Sequence, residues 1–577
     1  MKFAAKLLCV LCALCGLVLS AFALDREAFT FTNYDLGVTV EPEQQRLAAR
    51  GRITLRNDSA APQKNLSLQI SSSLGWRSIQ FEGKPVQFVS QPYTSDIDHT
   101  GALSEAIVSL PREVPPKGSV ELEVGYEGTV PLDDTRLTRV GVPKENAKHI
   151  DWDRIGKSFT AVRGVGYVVW YPVAMESANL SDGNSLFETL GRWKKREEGA
   201  SAKISVSFPA LSGVEAVPPI FCNGKLLSAA ARGGSPEVPA AECIFAPLGL
   251  DVPAFAAGNY DLLEHPAASV FYLPDHKPGA DNYMLAADLA LPLVTEWFGA
   301  PRERAQVVDL ADPEAVPYES GTMLLTPLQS TDSRLYELSA VYQLTHAAFP
   351  SPRPWIYEGL AHFAQALYRA QHSGRKAALD FMDLHRAGLA DTEKSLAAQT
   401  NSNGKPDQSL LNTCVEEFYR SKAMYVWWML RDMVGDEPMK KAFAAYRPEQ
   451  DKEPLYMQRL IETQARKDLQ WFFDDWVYRD RGLPDFRVVS AYSRAATNGA
   501  QLVTVSVENL GNAGAEVPVT LRMKEGSVTK RLEVRGQSKV TIRMEAISTP
   551  EEIVVNDGSV PESSRSNNAY KIELLNH

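Results

Sequence analysis

The chain has 577 residues, with 60 Lys and Arg against 71 Asp and Glu for a formal net charge of −11, and 44% of its residues are hydrophobic. That length outgrows a single hydrophobic core, so several domains are expected. The acidic balance, without a basic stripe carrying interleaved aromatics, excludes nucleic acid as a partner.

Lys2 and Lys6, an apolar stretch from Leu7 to Leu19 and a small-x-small site at Ala21-Phe22-Ala23 describe a secretory signal peptide over residues 1–23. The expectation is export to the periplasm or the extracellular space, with the mature chain starting near Leu24. No later stretch approaches the roughly 18 continuous apolar residues of a spanning helix, so no membrane span is expected. Cys9, Cys12 and Cys15 leave with the signal, so their spacing is no metal or redox motif, and the bulky Leu14 before Cys15 argues against a lipid anchor. Cys222, Cys243 and Cys414 remain. The first two flank a Gly/Ala/Ser/Pro-rich excursion, which suits a disulfide formed in an oxidising compartment. Two free buried thiols are the other reading.

Residues 24–260 alternate apolar and polar positions in short runs such as Leu66-Ser67-Leu68-Gln69-Ile70 and Val120-Glu121-Leu122-Glu123-Val124, which predicts a large antiparallel β domain. Between 261 and 484 the pattern becomes mixed. Strands are predicted at Val270–Leu273 and Val307–Leu310, and helices at Ala286–Phe298, Leu335–Phe349, Glu358–Arg369 and Glu416–Met433, with an exposed loop over Gln399–Gln408. After Pro484 period two returns, and residues 485–577 suit one small β-sandwich.

The chemistry concentrates in the mixed segment. In the helical pattern His-Glu-x-x-His, two imidazoles one turn apart bind one zinc ion, and the glutamate activates the metal-bound water. Here Tyr342-Gln343-Leu344-Thr345-His346 has that spacing with two exchanges: Tyr342 stands at a ligand position and Gln343 at the general-base position. A glutamine amide takes no proton near neutral pH, so Gln343 can orient a water but cannot activate it. Trp355-Ile356-Tyr357-Glu358-Gly359 follows, with Glu358 as a further oxygen donor. Upstream, Pro317-Tyr318-Glu319-Ser320-Gly321 precedes the apolar run Met323-Leu324-Leu325, and downstream stands Tyr419-Arg420-Ser421-Lys422-Ala423-Met424.

In this order, over roughly residues 250 to 485, these motifs resemble the aminopeptidase N (membrane alanyl aminopeptidase) family of gluzincin zinc metallopeptidases, with a degenerate His-Glu-x-x-His motif. The resemblance implies an α+β multidomain protein: an N-terminal antiparallel β domain, a thermolysin-like mixed catalytic domain with a helical half, and a C-terminal β-sandwich. It implies metal-ligand positions at His346, Glu358 and the replaced Tyr342. It also implies an anchor for a peptide's α-ammonium at Glu319, matching the glutamate of Gly-x-Met-Glu-Asn, and an oxyanion-stabilising tyrosine at Tyr419, matching the tyrosine of Tyr-Glu-Lys-Gly-Ala. Eleven residues separate His346 from Glu358, a shorter connection than the family's, with Pro350, Pro352 and Pro354 inside it. Three alternatives stay open: Glu319 as a solvated strand-end carboxylate, Tyr419 as a packing aromatic, and His362, four residues after Glu358, as a replacement ligand rather than a cleft histidine.

The expectation is an exported aminopeptidase-like protein of impaired catalysis, with zinc weakly held or absent and a cleft suited to peptides or protein N-termini. A working zinc aminopeptidase with an altered ligand set, and a non-enzymatic interaction scaffold, are the alternatives.

Overall fold

The computed structural model describes residues 24–181, 185–209, 218–228, 240–329, 332–403, 409–495 and 501–572. The expected signal peptide and the interior of the excursion between Cys222 and Cys243 lie outside them. The chain divides after Asn259 into two compact units.

The first unit is built on an eight-stranded sheet. In spatial order its strands are Lys225–Ser228, Ala240–Phe245, Ser201–Ser207, Phe29–Glu41, Arg46–Asn57, Ser119–Thr129, Leu74–Phe81 and Lys84–Pro85. The alternation read from the sequence is what builds it. Along Phe29–Glu41, Tyr34, Leu36, Val38 and Val40 are all buried, while the residues between them are less so. The pairings are antiparallel except that Phe29–Glu41 runs parallel to Ser201–Ser207. Gln63–Ser71, Ala102–Val114 and Gln87–Thr94 form a second sheet, and a third comprises Ile220–Cys222, Phe255–Gly258 and Phe159–Val162. Cys222 and Cys243 are disulfide-bonded, tying the third sheet to the first.

The second unit begins with a five-stranded mixed sheet. Ala268–Tyr272, Ala305–Asp309 and Met323–Thr326 run parallel at its centre, and Asp261–Glu264 and Tyr318–Ser320 close its two edges antiparallel. Four helices matter for the site: α1 (Lys277–Phe298), α2 (Arg334–Ala348), α3 (Pro354–Asn403) and α4 (Ala423–Val434). α3 is two helices joined at Gly374, whose φ of 83° is a conformation open to glycine and strained for a side chain. It continues through Asn403, so the loop predicted from Gln399 begins later than expected. Thr400, Asn401 and Asn403 each lose only a few tenths of a kcal/mol in a helix, too little to end one already propagating. Residues 404–408 lie outside the described chain. α1 begins at Lys277, nine residues before its predicted start.

Between α3 and α4 the chain makes a π-helical turn over Glu417–Lys422, where a continuous α-helix was predicted. Two further sheets complete the unit. One pairs Phe486–Ala495, Gln501–Asn509 and Ser538–Ala546, and the other pairs Ser527–Val534, Ala515–Met523, Pro550–Val555 and Ala569–Lys571. Val503, Val505 and Val507 on the first and Val517, Val519 and Leu521 on the second are fully buried, the inward half of a period-two pattern. These sheets are fastened to the helices by Trp476 Nε1, which donates to Gly514 O at 2.7 Å, and by Arg375, which pairs with Asp432 at 2.6 Å and Asp557 at 3.0 Å.

Trp355 of α3 stacks on Trp427 of α4 with ring centroids 4.7 Å apart, and Gly359 lets the two helices approach this closely. A Cβ at residue 359 would meet the Cβ of Ala423 at 2.6 Å and Nε1 of Trp427 at 3.0 Å. Both neighbours are fully buried and have nowhere to move. Gly359→Ala is therefore expected to destabilise the protein by about 1–3 kcal/mol, as overpacked cores do, read as a lower denaturation midpoint with an unchanged denaturant slope.

Candidate functional site

The site forms where α2, the start of α3 and the π-helical turn meet. Tyr342 and His346 lie one turn apart on α2, and their rings are 4.5 Å apart. Glu358 rises from the first turns of α3 to face them. The Tyr342 hydroxyl donates to Glu358 Oε2 at 2.5 Å, and His346 Nε2 stands 3.7 Å from Oε1, beyond hydrogen-bonding distance. The structure thus brings Tyr342, His346 and Glu358 together. Tyr357 packs its ring against His346 at 3.9 Å, and His362 lies against Tyr342 at 5.4 Å.

Arg420 is the residue that sequence reasoning passed over. The π-helical turn aims its guanidinium at the same carboxylate, with Nε donating to Glu358 Oε2 at 2.9 Å and Nη1 donating to Glu416 Oε1. Oε2 of Glu358 therefore accepts from both Tyr342 and Arg420. The signal was present in the sequence: arginine stands at 420 where the resembled Tyr-Glu-Lys-Gly-Ala motif has glutamate, a reversal of charge. Tyr419, next to it, is buried in the packed face of the turn. A tyrosine hydroxyl that bonds Glu358 is that of Tyr342.

The electrostatics follow from these contacts. Burial pushes the Glu358 carboxyl up, but Arg420, His346, the Tyr342 hydrogen bond and His362 together outweigh it and hold the group down at about 2. Burial lowers His346 to about 4 and His362 to about 3, with Arg420 adding to both shifts, so both imidazoles are neutral at pH 7. Glu319, on the edge strand Tyr318–Ser320, is pushed up to about 7 by burial, with Arg420 pulling it down and Glu358 pushing it further up. Gln343, one residue after Tyr342, is fully buried.

Tyr342, His346 and Glu358 are the side chains that would meet a zinc ion here. Among the described residues no three His, Cys, Asp or Glu side chains converge as a metal site requires. Oε2 of Glu358 already serves a guanidinium, whose positive charge opposes a dication beside the same carboxylate. Gln343 leaves the site without a carboxylate at the general-base position.

No protein-family model matches the sequence, and no curated protein matches it in sequence. The fold has counterparts among solved structures. Aminopeptidase A of Legionella pneumophila, solved in complex with aspartic acid, superposes with a TM-score of 0.56 at 14% identity, covering 94% of this chain and 59% of that one. The chain has an aminopeptidase fold. It spans about three fifths of the Legionella enzyme's length. An M1 zinc metallopeptidase of Deinococcus radiodurans is similar more loosely, with a TM-score of 0.42 at 15% identity over 77% of this chain and 92% of that chain. At these identities the likeness speaks for the scaffold, and the chemistry has to be argued from the site.

The Arg420–Glu358 pair makes a direct energetic claim. Removing one partner of a fully buried pair costs about 3–5 kcal/mol; Arg420 keeps 30% of its side chain exposed, so the cost is smaller. Arg420→Gln is expected to destabilise by about 1–3 kcal/mol, and Glu358→Gln introduced beside it is expected to recover most of that. A double-mutant cycle by chemical denaturation measures the coupling; a value near zero means that the two groups do not stabilise one another.

Proposed function

We propose that the chain is an exported, aminopeptidase-like protein that binds peptide N-termini and does not hydrolyse them with a metal. One observation carries this reading: Tyr342 and Arg420 both donate to the carboxylate of Glu358. In the resemblance this carboxylate is a metal ligand; here protein donors supply the positive charge and the hydrogen bond. The disulfide between Cys222 and Cys243 supports export, since such bonds persist in oxidising compartments.

Glu319 is the group to which a peptide's α-ammonium would bind. A cation arriving beside it favours the carboxylate form, so binding draws Glu319 away from its raised value of about 7. Peptide affinity is therefore expected to strengthen as pH rises through about 7 and to weaken above about 8, where the α-amine, with an ordinary pKa of about 7.7–8.0, loses its proton. Calorimetric titration with a short peptide across pH 6–9 reads this profile. Glu319→Gln should abolish the rise, and an unchanged profile in that variant removes Glu319 from the role.

The purified protein is expected to hold far less than one equivalent of zinc and to release no N-terminal residue from aminoacyl fluorogenic substrates. Loss of a general base alone costs about 10²–10⁴-fold in rate. Stoichiometric zinc together with chelator-sensitive turnover would falsify this and establish an altered ligand set instead. Restoration tests the assignment of the positions. Tyr342→His with Gln343→Glu recreates His-Glu-x-x-His yet leaves Arg420 on Glu358, so tight zinc binding is expected only when Arg420→Glu is added. His346→Ala in that triple variant should remove the metal again; zinc retained without His346 refutes its ligand position.

A further inference from the structure

Glu197 is the last residue of the helix Ser185–Glu197 in the first unit, and it is 2% exposed. Its task is set by a ladder that stops short. The strand Ser201–Ser207 pairs with Phe29–Glu41 only from Asn33, which lies opposite Ser201, so the backbone N–H of Phe31 lies beyond the end of that partner. A β-bulge falls between Phe31 and Asn33 at the same spot. Glu197 stands in for the missing strand: its Oε1 accepts from Phe31 N at 3.2 Å. Its own carbonyl accepts from Ala200 N at 2.8 Å, immediately before the chain enters Ser201–Ser207. One side chain thus joins the end of the helix to the head of a central strand.

A charged carboxylate is poorly provided for in this position. Oε2 is buried and has no hydrogen-bond partner among the described residues. The negative end of the helix dipole falls on the same residue. Arg196, beside it in the chain, keeps Nε 3.5 Å from Oε1, while its Nη1 lies 3.5 Å from Glu27 and its Nη2 donates to Ala174 O. Arg56, on the strand Arg46–Asn57, acts from farther away and is bound to Asp58 at 2.8 Å. Tyr34 faces Glu197 from Phe29–Glu41; its ring stacks on Phe31 at 5.4 Å, and burial with Glu197 makes its hydroxyl hard to ionise. Burial outweighs Arg196 and the Phe31 hydrogen bond, so the Glu197 carboxyl is pushed up to about 8. We propose that Glu197 is a proton-operated latch: the neutral carboxyl holds the head of Phe29–Glu41 to the end of the helix, and loss of the proton drives the side chain toward water and frees the Phe31 N–H. A carboxyl raised in this way favours the folded state while protonated. That contribution is complete below its ordinary value of 4.5 and is lost as pH rises through about 8.

The test uses the full-length mature protein. Glu197→Gln keeps an oxygen for Phe31 N and carries no charge, so it copies the protonated state at every pH. Denaturant unfolding of both proteins is followed from about pH 5 to about pH 9. The unfolding equilibrium constant of the unaltered protein, divided by that of the variant, is expected to rise roughly tenfold per pH unit and to level off above about 8. Other titrating groups are common to both proteins and cancel in the ratio. In the unaltered protein, amide exchange of the segment holding Phe31, corrected for the intrinsic effect of pH, is expected to accelerate as pH passes about 8, while the segment around Val38 stays protected. Parallel stability profiles for the two proteins overturn the proposal. Exchange at Phe31 that does not respond to pH overturns it as well, and that measurement decides the matter alone if the variant fails to fold.

Discussion

The site of this protein is organised by the carboxylate of Glu358, held between a phenol and a guanidinium. Taking a carboxylate and an arginine out of water costs several kcal/mol for each ion, which the attraction between them roughly repays, so a pair like this is a poor source of net stability. What it fixes is orientation. Tyr342 comes from α2, Glu358 from α3 and Arg420 from the π-helical turn, so a single oxygen atom sets the mutual position of three segments. The same contacts keep Glu358 ionised despite its burial, and the adjacent Arg420 helps to keep His346 and His362 neutral. The cation that takes part in this ordering is covalently part of the chain.

Much of the architecture was legible in the residues. Period-two alternation located both β regions, because a strand buried on one face imposes that pattern on whatever sequence forms it. The spacing of Tyr342 and His346 put them on one face of α2, since positions one turn apart on a helix share a face, and the resemblance set Glu358 beside them. The disulfide was legible from two cysteines flanking a turn-rich excursion. What escaped depended on partners distant in sequence. The parallel pairing of Phe29–Glu41 with Ser201–Ser207 joins strands about 170 residues apart and leaves no local mark. The extent of α3 escaped because polar residues near its end look like a loop when judged by composition alone.

The role of Arg420 is the instructive omission. Its charge was visible as a departure from the resembled motif, but its direction was not. A π-helical turn advances each residue by a smaller angle than an α-helix, so a projection drawn with 3.6 residues per turn misplaces the side chains within it. Such turns cluster at functional positions, and this one carries two cations that point to different partners: Arg420 to Glu358, and Lys422, fully enclosed, to Glu393 at 2.6 Å and Asp480 at 2.7 Å. The unsatisfied ring nitrogens of His346 were equally beyond sequence reasoning, since whether a buried polar group finds a partner is decided by packing at the scale of a single ångström.

The bend at Gly374 acquires a mechanical meaning from these two cations. Glu358 lies on α3 before the bend and Glu393 after it, and both are held by residues only two positions apart on the π-helical turn. The turn therefore staples the two arms of α3 across the one residue that could serve them as a hinge. Opening the bend would strip an ammonium buried as deeply as Lys422 of a carboxylate, a penalty well above thermal energy. The two arms of α3 are consequently held at a fixed angle, and Glu358 keeps its place without anything further to order it.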